Sequence, residues 1–384
     1  MSNSNWFIFL LLLALSSLVS VHSLTHSSDI TALRAFKSSL KFSSIPPNSC
    51  LATWDFTTDP CSEPRVTHFI CGITCSGNRI NQITLDSQGY TGTLTPLVSS
   101  LTQLITLDLG ENNFYGPIPS SLSSLTNLQH LILRVNSFSG SVPQSLTTFK
   151  SLRTLDLSRN SLSGPLPNSI NSLTSLTRLD LSYNRFTGFL PKLPPNLNEL
   201  AVKANSLSGS LYKSSFDGLT QLMVVELSEN SFTGILEPWF FLLPSLQQIN
   251  LANNSFTSVV ILKPVNINSQ LVAINLSFNR IEGFLPANFS DYPTLRSLSL
   301  SYNRLRGPIP WQYSKKGSLQ RLFLDGNFLN GSPPAGFFAG DTAVSGSLGD
   351  NCLRSCPVSS ELCSKSQKPA SICQQAYGGK KPRS

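Results

Sequence analysis

The segment Leu104-x-x-Leu107-x-Leu109-x-x-Asn112-x-Phe114-x-Gly116-x-Ile118-Pro119 returns, with small changes, ten times along the chain at a period close to 24 residues. A fixed period of this length specifies a stack of near-identical coils in place of a globule around one core. A stack offers a long ordered surface more readily than an enclosed pocket. The search for function therefore turns to the faces of the stack.

Aligned on their first aliphatic residue, the coils begin at Ile80, Leu104, Leu128, Leu152, Leu176, Leu197, Leu222, Leu246, Leu271, Leu295 and Leu319, which makes eleven. The Leu-x-x-Leu-x-Leu core predicts a short strand, with Leu107 and Leu109 pointing inward and Asp108 outward. Stacking these strands gives a parallel sheet. Asparagine follows at 112, 136, 160, 184, 205, 230, 254, 279, 303 and 327, and the first coil departs with Gln88. At this point each coil turns and its backbone groups lose their strand partners. An amide side chain, with two donors and an acceptor, can replace them. Gly-x-Ile-Pro, as at Gly116 to Pro119 and Gly307 to Pro310, predicts a turn and then an extended segment, because proline disfavours helix before it. The fifth coil is short. It runs through Leu193-Pro194-Pro195-Asn196 without the Ser-Leu-x-x-Leu filler of its neighbours, which predicts a thin outer side.

These residues resemble the leucine-rich-repeat superfamily, and Gly-x-Ile-Pro resembles its plant-specific class. The resemblance covers roughly residues 80–334. It implies an α/β solenoid, a right-handed superhelix with a parallel concave sheet and disulfide caps. It also assigns the repeated leucines, asparagines and glycines to the scaffold, leaving the variable positions to meet a ligand.

The ends predict location. Residues 7–15 form an apolar run too short to span a bilayer, and Val21-His22-Ser23 fits a small-residue cleavage site. The expected organisation is a signal peptide over 1–23, an N-terminal cysteine cap over 24–79, eleven repeats over 80–334, a C-terminal cysteine cap over 335–373 and a basic tail over 374–384. All eight cysteines lie outside the repeats: Cys50, Cys61, Cys71 and Cys75 before them, Cys352, Cys356, Cys363 and Cys373 after. Small caps with little core of their own are stapled by disulfides in oxidising compartments. Four cysteines per end allow three pairings each. Cys71-x-x-x-Cys75 and Cys352-x-x-x-Cys356 also have zinc-like spacing, but secretion favours disulfides, and neither a metal nor a cofactor is expected. Ile30, Leu33, Phe36 and Leu40 share one helical face, with Ser28 or Asp29 available as N-cap. That helix, Trp54 and Asp59-Pro60-Cys61 resemble the N-terminal cap of plant leucine-rich-repeat receptors, although Cys71-Gly72 stands where that family carries Trp-x-Gly. With no apolar run of spanning length after the second cap, the expected product is secreted into the cell wall or apoplast, without a kinase or a lipid anchor.

The concave surface is read from the positions between the leucines. Coils three to five carry Arg134, Arg153, Asp156, Arg159, Arg178, Asp180 and Tyr183, the expected ligand-binding patch. Asp156 and Asp180 share a phase on adjacent strands. The arginines around them either offset that repulsion or present forks to a carboxylate or sulfate. Later coils differ: Glu226 and Glu229 are acidic, Gln248 and Asn250 neutral, and Phe278 and Tyr302 precede their asparagines. Such varied chemistry suits an extended peptide or a docked protein surface. Asn253, Asn275, Asn288 and Asn330 open glycan acceptor triplets, and Asn275 falls on the outer face of the sheet, where a sugar would block it.

The formal net charge is +8. Charged residues make up only 12% of the chain, against about 25% in ordinary soluble domains. Ser and Asn supply the polar exterior, and its weak basicity suits an acidic wall polysaccharide. Nucleic acid is not an expected partner, since there is no basic stripe. Nor is catalysis expected: His26, His68 and His130 lie far apart, and no nucleophile elbow, metal triad or phosphate loop occurs. The leading reading is a recognition module similar to receptor-like protein ectodomains. It would bind a peptide, a wall fragment or a receptor-kinase ectodomain and signal through a membrane partner. The alternative is an inhibitor of microbial wall-degrading enzymes similar to polygalacturonase-inhibiting proteins, although that family's adjacent Cys-Cys pair is absent at Cys61.

Overall fold

A computed structural model describes residues 24–57, 59–61, 72–264, 269–339, 344–357 and 359–378. The expected signal peptide and Cys71 lie outside these residues. The repeat leucines do what their period requires. Leu104, Leu107, Leu109, Leu128, Leu131 and Leu133 have no exposed surface, and their equivalents continue through Leu322 and Leu324. Each such side chain contributes about 1.5–3 kcal/mol on burial, repeated coil after coil along one continuous interior.

The concave sheet has thirteen strands. Strand Gly72–Ser76 pairs antiparallel with the first coil's strand Arg79–Thr84. From there the strands run parallel in coil order, from Thr106–Asp108 to Arg321–Phe323, and end on Ser345–Ser347. That last strand lies beyond the expected end of the repeats. It is followed by an eleventh ladder asparagine, Asn351, which accepts from Leu329 N at 3.0 Å and donates to Leu324 O at 2.9 Å.

The ladder staples each coil to the one before. Asn160 Nδ2 donates to Leu133 O of the preceding coil at 2.9 Å and to Leu157 O of its own at 3.1 Å. Its Oδ1 accepts from Phe138 N at 2.9 Å.

A second set of strands follows each asparagine, such as Asn113–Gly116 and Ser137–Gly140. They form an eight-stranded flank sheet and, after an interruption between coils eight and nine, a four-stranded one. The repeat pattern predicts only a turn there. The signal for a strand is the alternation in Asn113-Phe114-Tyr115, with the ring in and its neighbours out. The convex side is built mostly of short 3-10 turns such as Ser120–Ser124, with one-turn α-helices at Lys213–Phe216 and Pro238–Phe241. Coil five lacks a convex helix, as its missing filler predicts.

The N-terminal helix spans Ser27–Ser38 and buries Ala32, Leu33 and Phe36. The ring of Phe36 packs 6.0 Å from Trp54 and 5.9 Å from Phe114. Its cap is His26, whose ring accepts from Ser28 N, and neither Ser28 nor Asp29 fills that role. Asp29 is drawn elsewhere. The first coil has no coil above it, and Asp29 supplies the missing acceptor to Ile80 N at 2.9 Å and takes both Nε and Nη2 of Arg79 at 3.0 and 2.9 Å.

Disulfides join Cys61 to Cys75, Cys352 to Cys373 and Cys356 to Cys363, and Cys50 is also disulfide-bonded. At the C-terminal end Lys365 pairs with Asp325 at 2.8 Å and Lys368 with Asp350 at 2.9 Å. The final helix runs Ala370–Tyr377, past the boundary expected at Cys373. The Tyr377 hydroxyl accepts from Gly307 N and donates to Phe328 O, which ties the helix to the flank sheet.

Candidate ligand-recognition surface

The expected patch divides in two. Arg178 and Asp180 stand on the strand of coil five, directly beside Thr154 and Asp156 of coil four. The two carboxylates are therefore cross-strand neighbours. Asp156 Oδ1 accepts from Ser158 N at 3.1 Å and Ser158 Oγ at 2.7 Å, and Asp180 accepts from Ser182 N at 3.0 Å. The Asp180 carboxyl is raised above its ordinary value. Loss of hydration is the main cause, the Ser182 hydrogen bonds oppose it and Asp156 adds to it. Asp108, in the same column, is raised chiefly by burial. Arg153, just before the strand of coil four, is exposed and makes no ion pair among the described residues.

Arg134, Arg159 and Tyr183 lie past the strands, toward the rim. The residue before each ladder asparagine turns left-handed: Glu111, Val135, Arg159, Tyr183, Ala204, Glu229, Asn253, Phe278 and Tyr302 have φ between 52° and 59°. This turn aims each amide at the next coil, as Glu111 N does at Arg134 O at 2.9 Å. The strain, of order 1 kcal/mol per residue, is offset by the ladder. The row of side chains it creates interacts along the rim. The Arg159 guanidinium sits 4.3 Å from the centre of the Tyr183 ring, and Lys203 Nζ lies 5.6 Å from it. Phe278 and Tyr302 stack at 4.5 Å.

Much of the charge in this half is spent internally. Arg134 pairs with Glu111 at 2.8 Å, Arg178 with Glu199 at 3.4 Å and Lys203 with Glu229 at 3.1 Å. These pairs are solvent-exposed, so each is worth at most about 1 kcal/mol.

A groove of about 480 Å³ lies on the concave face of coils seven to eleven. Small residues open it: Ala273 and Ser297 stand where earlier coils carry Arg178 and Glu199, and Ser299 where they carry Asp180 and Glu226. At one end Glu226 is already engaged, accepting from Ser228 N at 3.0 Å and from Asn250 Nδ2 at 2.8 Å. Arg321 and Phe323 form the other end. Arg321 and the diagonally adjacent Arg296 are exposed and make no ion pair among the described residues. Arg296, Arg321 and Phe323 fall outside the patch expected from the sequence.

The acceptor triplets fall in different settings. Asn253 is exposed on the rim, Asn288 donates to Ile261 O at 2.9 Å, Asn330 is half-buried on the flank sheet and Asn275 lines the groove. No helix among the described residues is long and apolar enough to cross a membrane.

This architecture matches known proteins. The leucine rich repeat family covers residues 126–186, 195–256 and 269–329, with a further repeat match at 103–125, and the leucine rich repeat N-terminal domain covers 26–67. The chain belongs to the leucine-rich-repeat proteins, of the plant extracellular type. It is 32% identical over 104 residues to the calmodulin-binding receptor kinase CaMRLK of Arabidopsis thaliana, covering 27% of this chain and 15% of the kinase. The solved PEPR1–AtPEP1 structure is similar with a TM-score of 0.76 and 31% identity, over 85% of this chain and 46% of that one. The plant peptide hormone receptor RGFR1 in complex with RGF2 gives 0.62 and 26%, over 72% and 48%. The chain thus spans less than half of each of these three proteins.

Proposed function

We propose that this chain is a non-catalytic recognition module of the cell wall or apoplast. Its groove over coils seven to eleven holds an extended peptide, and a membrane receptor partner carries the signal onward. The observation that carries this reading is the lining: amides and hydroxyls at Gln248, Asn250, Asn275, Ser297 and Ser299, with Arg321 at one end. Such groups can satisfy the backbone donors and acceptors of an extended chain. Five strands at ~4.8 Å spacing span about 19 Å, the length of roughly six extended residues. Arg134, Arg178 and Arg159 are committed to neighbouring side chains, which makes coils three to five the weaker candidate. RGFR1, a peptide hormone receptor, shares the fold over 72% of this chain, in support of the same class of ligand.

The test is affinity capture of secreted peptides on the wild-type protein and on Arg321→Glu. Peptides retained by the first and lost by the second support the groove. Equal retention rejects it. In parallel, loss of microbial polygalacturonase activity on adding the protein would replace this reading with the inhibitor.

A further inference from the structure

Asn250 and Asn275 stand side by side on adjacent strands of the groove floor, yet their amides differ. Asn250 Nδ2 donates to Glu226 at 2.8 Å. Asn275 uses only its carbonyl, which accepts from Ser277 N at 3.1 Å, and its amide nitrogen makes no hydrogen bond among the described residues. Asn275-Leu276-Ser277 is an acceptor triplet, whereas Asn250-Leu251-Ala252 is not. The ladder asparagines offer a second contrast, since Asn279 spends its nitrogen on Leu251 O and Leu276 O. In an extracellular protein, a free amide in an acceptor triplet on an open face meets the requirements for glycan attachment.

We propose that Asn275 carries an N-linked oligosaccharide in the secreted protein and that this sugar closes the groove. Occupancy of one side chain then sets the fraction of molecules open to ligand. In the transfer, Asn275 Nδ2 forms a bond to the anomeric carbon of a lipid-pyrophosphate-linked oligosaccharide. The bond from that carbon to the pyrophosphate oxygen breaks, and the lipid pyrophosphate and the amide proton leave. The fold tolerates the product, because the substituted nitrogen replaces no internal hydrogen bond and the Asn275 carbonyl still accepts from Ser277. The attached sugar stands midway between Val224 and Arg321, with two strands of the groove on either side.

The gating half of the proposal rests on the groove reading above, so its test avoids any ligand. Protein secreted from eukaryotic cells is mapped by glycopeptide mass spectrometry, and hydroxyl-radical oxidation of Phe323 reports coverage of the groove. The expected result is a glycan mass at Asn275 that is lost in Asn275→Gln and Ser277→Ala and kept in Ser277→Thr. Phe323 oxidation is expected to rise in the two variants without the sugar, while oxidation of the convex Trp311 stays constant. The serine pair controls for the Ser277–Ser299 hydroxyl contact, since Asn275→Gln leaves it intact. A bare Asn275 overturns the proposal. Equal Phe323 oxidation with and without the sugar overturns the gating. Equal peptide retention by the wild-type protein and Arg321→Glu would sink the groove reading alone.

Discussion

The backbone amide of Phe138 in coil three is satisfied by the side-chain carbonyl of Asn160 in coil four, at 2.9 Å. One residue thus closes the hydrogen-bond account of two coils. Asn160→Ala strips Phe138 N, Leu133 O and Leu157 O of their partner together. At about 1–3 kcal/mol for each orphaned buried group, the variant is expected to lose at least about 2 kcal/mol in chemical denaturation. Asn113→Ala, whose exposed side chain reaches only Gly89 O, is the matched control and is expected to change stability little.

Asp29 plays the same part at the open end. Asp29→Ala leaves the Ile80 amide without an acceptor and the Arg79 guanidinium without its carboxylate, with only Thr102 Oγ1 still accepting from it, in a site where Asp29 is fully buried. Breaking such a pair costs about 3 kcal/mol. Hydrogen exchange is expected to show early opening of Ser27–Ser38 and Arg79–Thr84, with the central coils still protected.

Two glycines separate backbone strain from crowding. Gly140 has φ +80° and open space where an added methyl group would stand, while a Cβ on Gly326, at φ +74°, would lie 2.5 Å from the Tyr302 ring. Gly140→Ala is expected to cost about 1–2 kcal/mol from the left-handed backbone alone, and Gly326→Ala clearly more. Adding Tyr302→Ser is expected to recover the difference, a coupling that a double-mutant cycle in thermal melts reads directly.

Asp180 reverses the usual acid dependence. Its carboxyl is raised above 3.8, mainly by loss of hydration, so the fold favours the protonated form. That stabilisation is complete below pH 3.8 and disappears as pH rises through the raised value. Asp180→Asn is expected to melt above wild type at neutral pH and to converge with it in acid. Melting curves in which the two run parallel at every pH would show that Asp180 is not the titrating group.

Charge reversal distinguishes the two halves of the concave face. Arg153→Glu with Arg178→Glu is expected to leave peptide retention largely intact, because Arg178 already pairs with Glu199. Arg321→Glu is expected to weaken it about tenfold or more, as for a truncated charge contact worth at least about 1.4 kcal/mol. Equal losses from both would return the site to coils three to five.

What the sequence disclosed follows from what repeats. Leu107, Asn112 and their successors recur because each coil faces the same neighbour, so period alone implies the concave sheet and the ladder. The flank sheet is hidden because Phe114, Phe138 and Leu162 alternate over only a few residues and end in glycine, which reads as a turn. Asn351 is hidden because it lies beyond the last recognisable leucine run. The left-handed row is illegible, since Glu111, Val135 and Arg159 have nothing in common as residue types and the ladder alone imposes their backbone sign. The groove depends on side chains being small at Ala273, Ser297 and Ser299, a feature visible only when coils are compared with one another. The charged patch is readable, but its mutual neutralisation through Glu111 and Glu199 emerges only once the coils are placed side by side.

Strand Gly72–Ser76 runs against the direction of every strand that follows it. At the opposite extremity Leu348 N reaches Leu362 O and Asp350 N reaches Ser366 O. A bare margin of parallel ribbon is a template on which a second molecule can add itself and keep adding. Here the cap occupies one margin, and at the other the reversed strand ends the parallel order, so a second molecule finds no parallel coil edge there to continue.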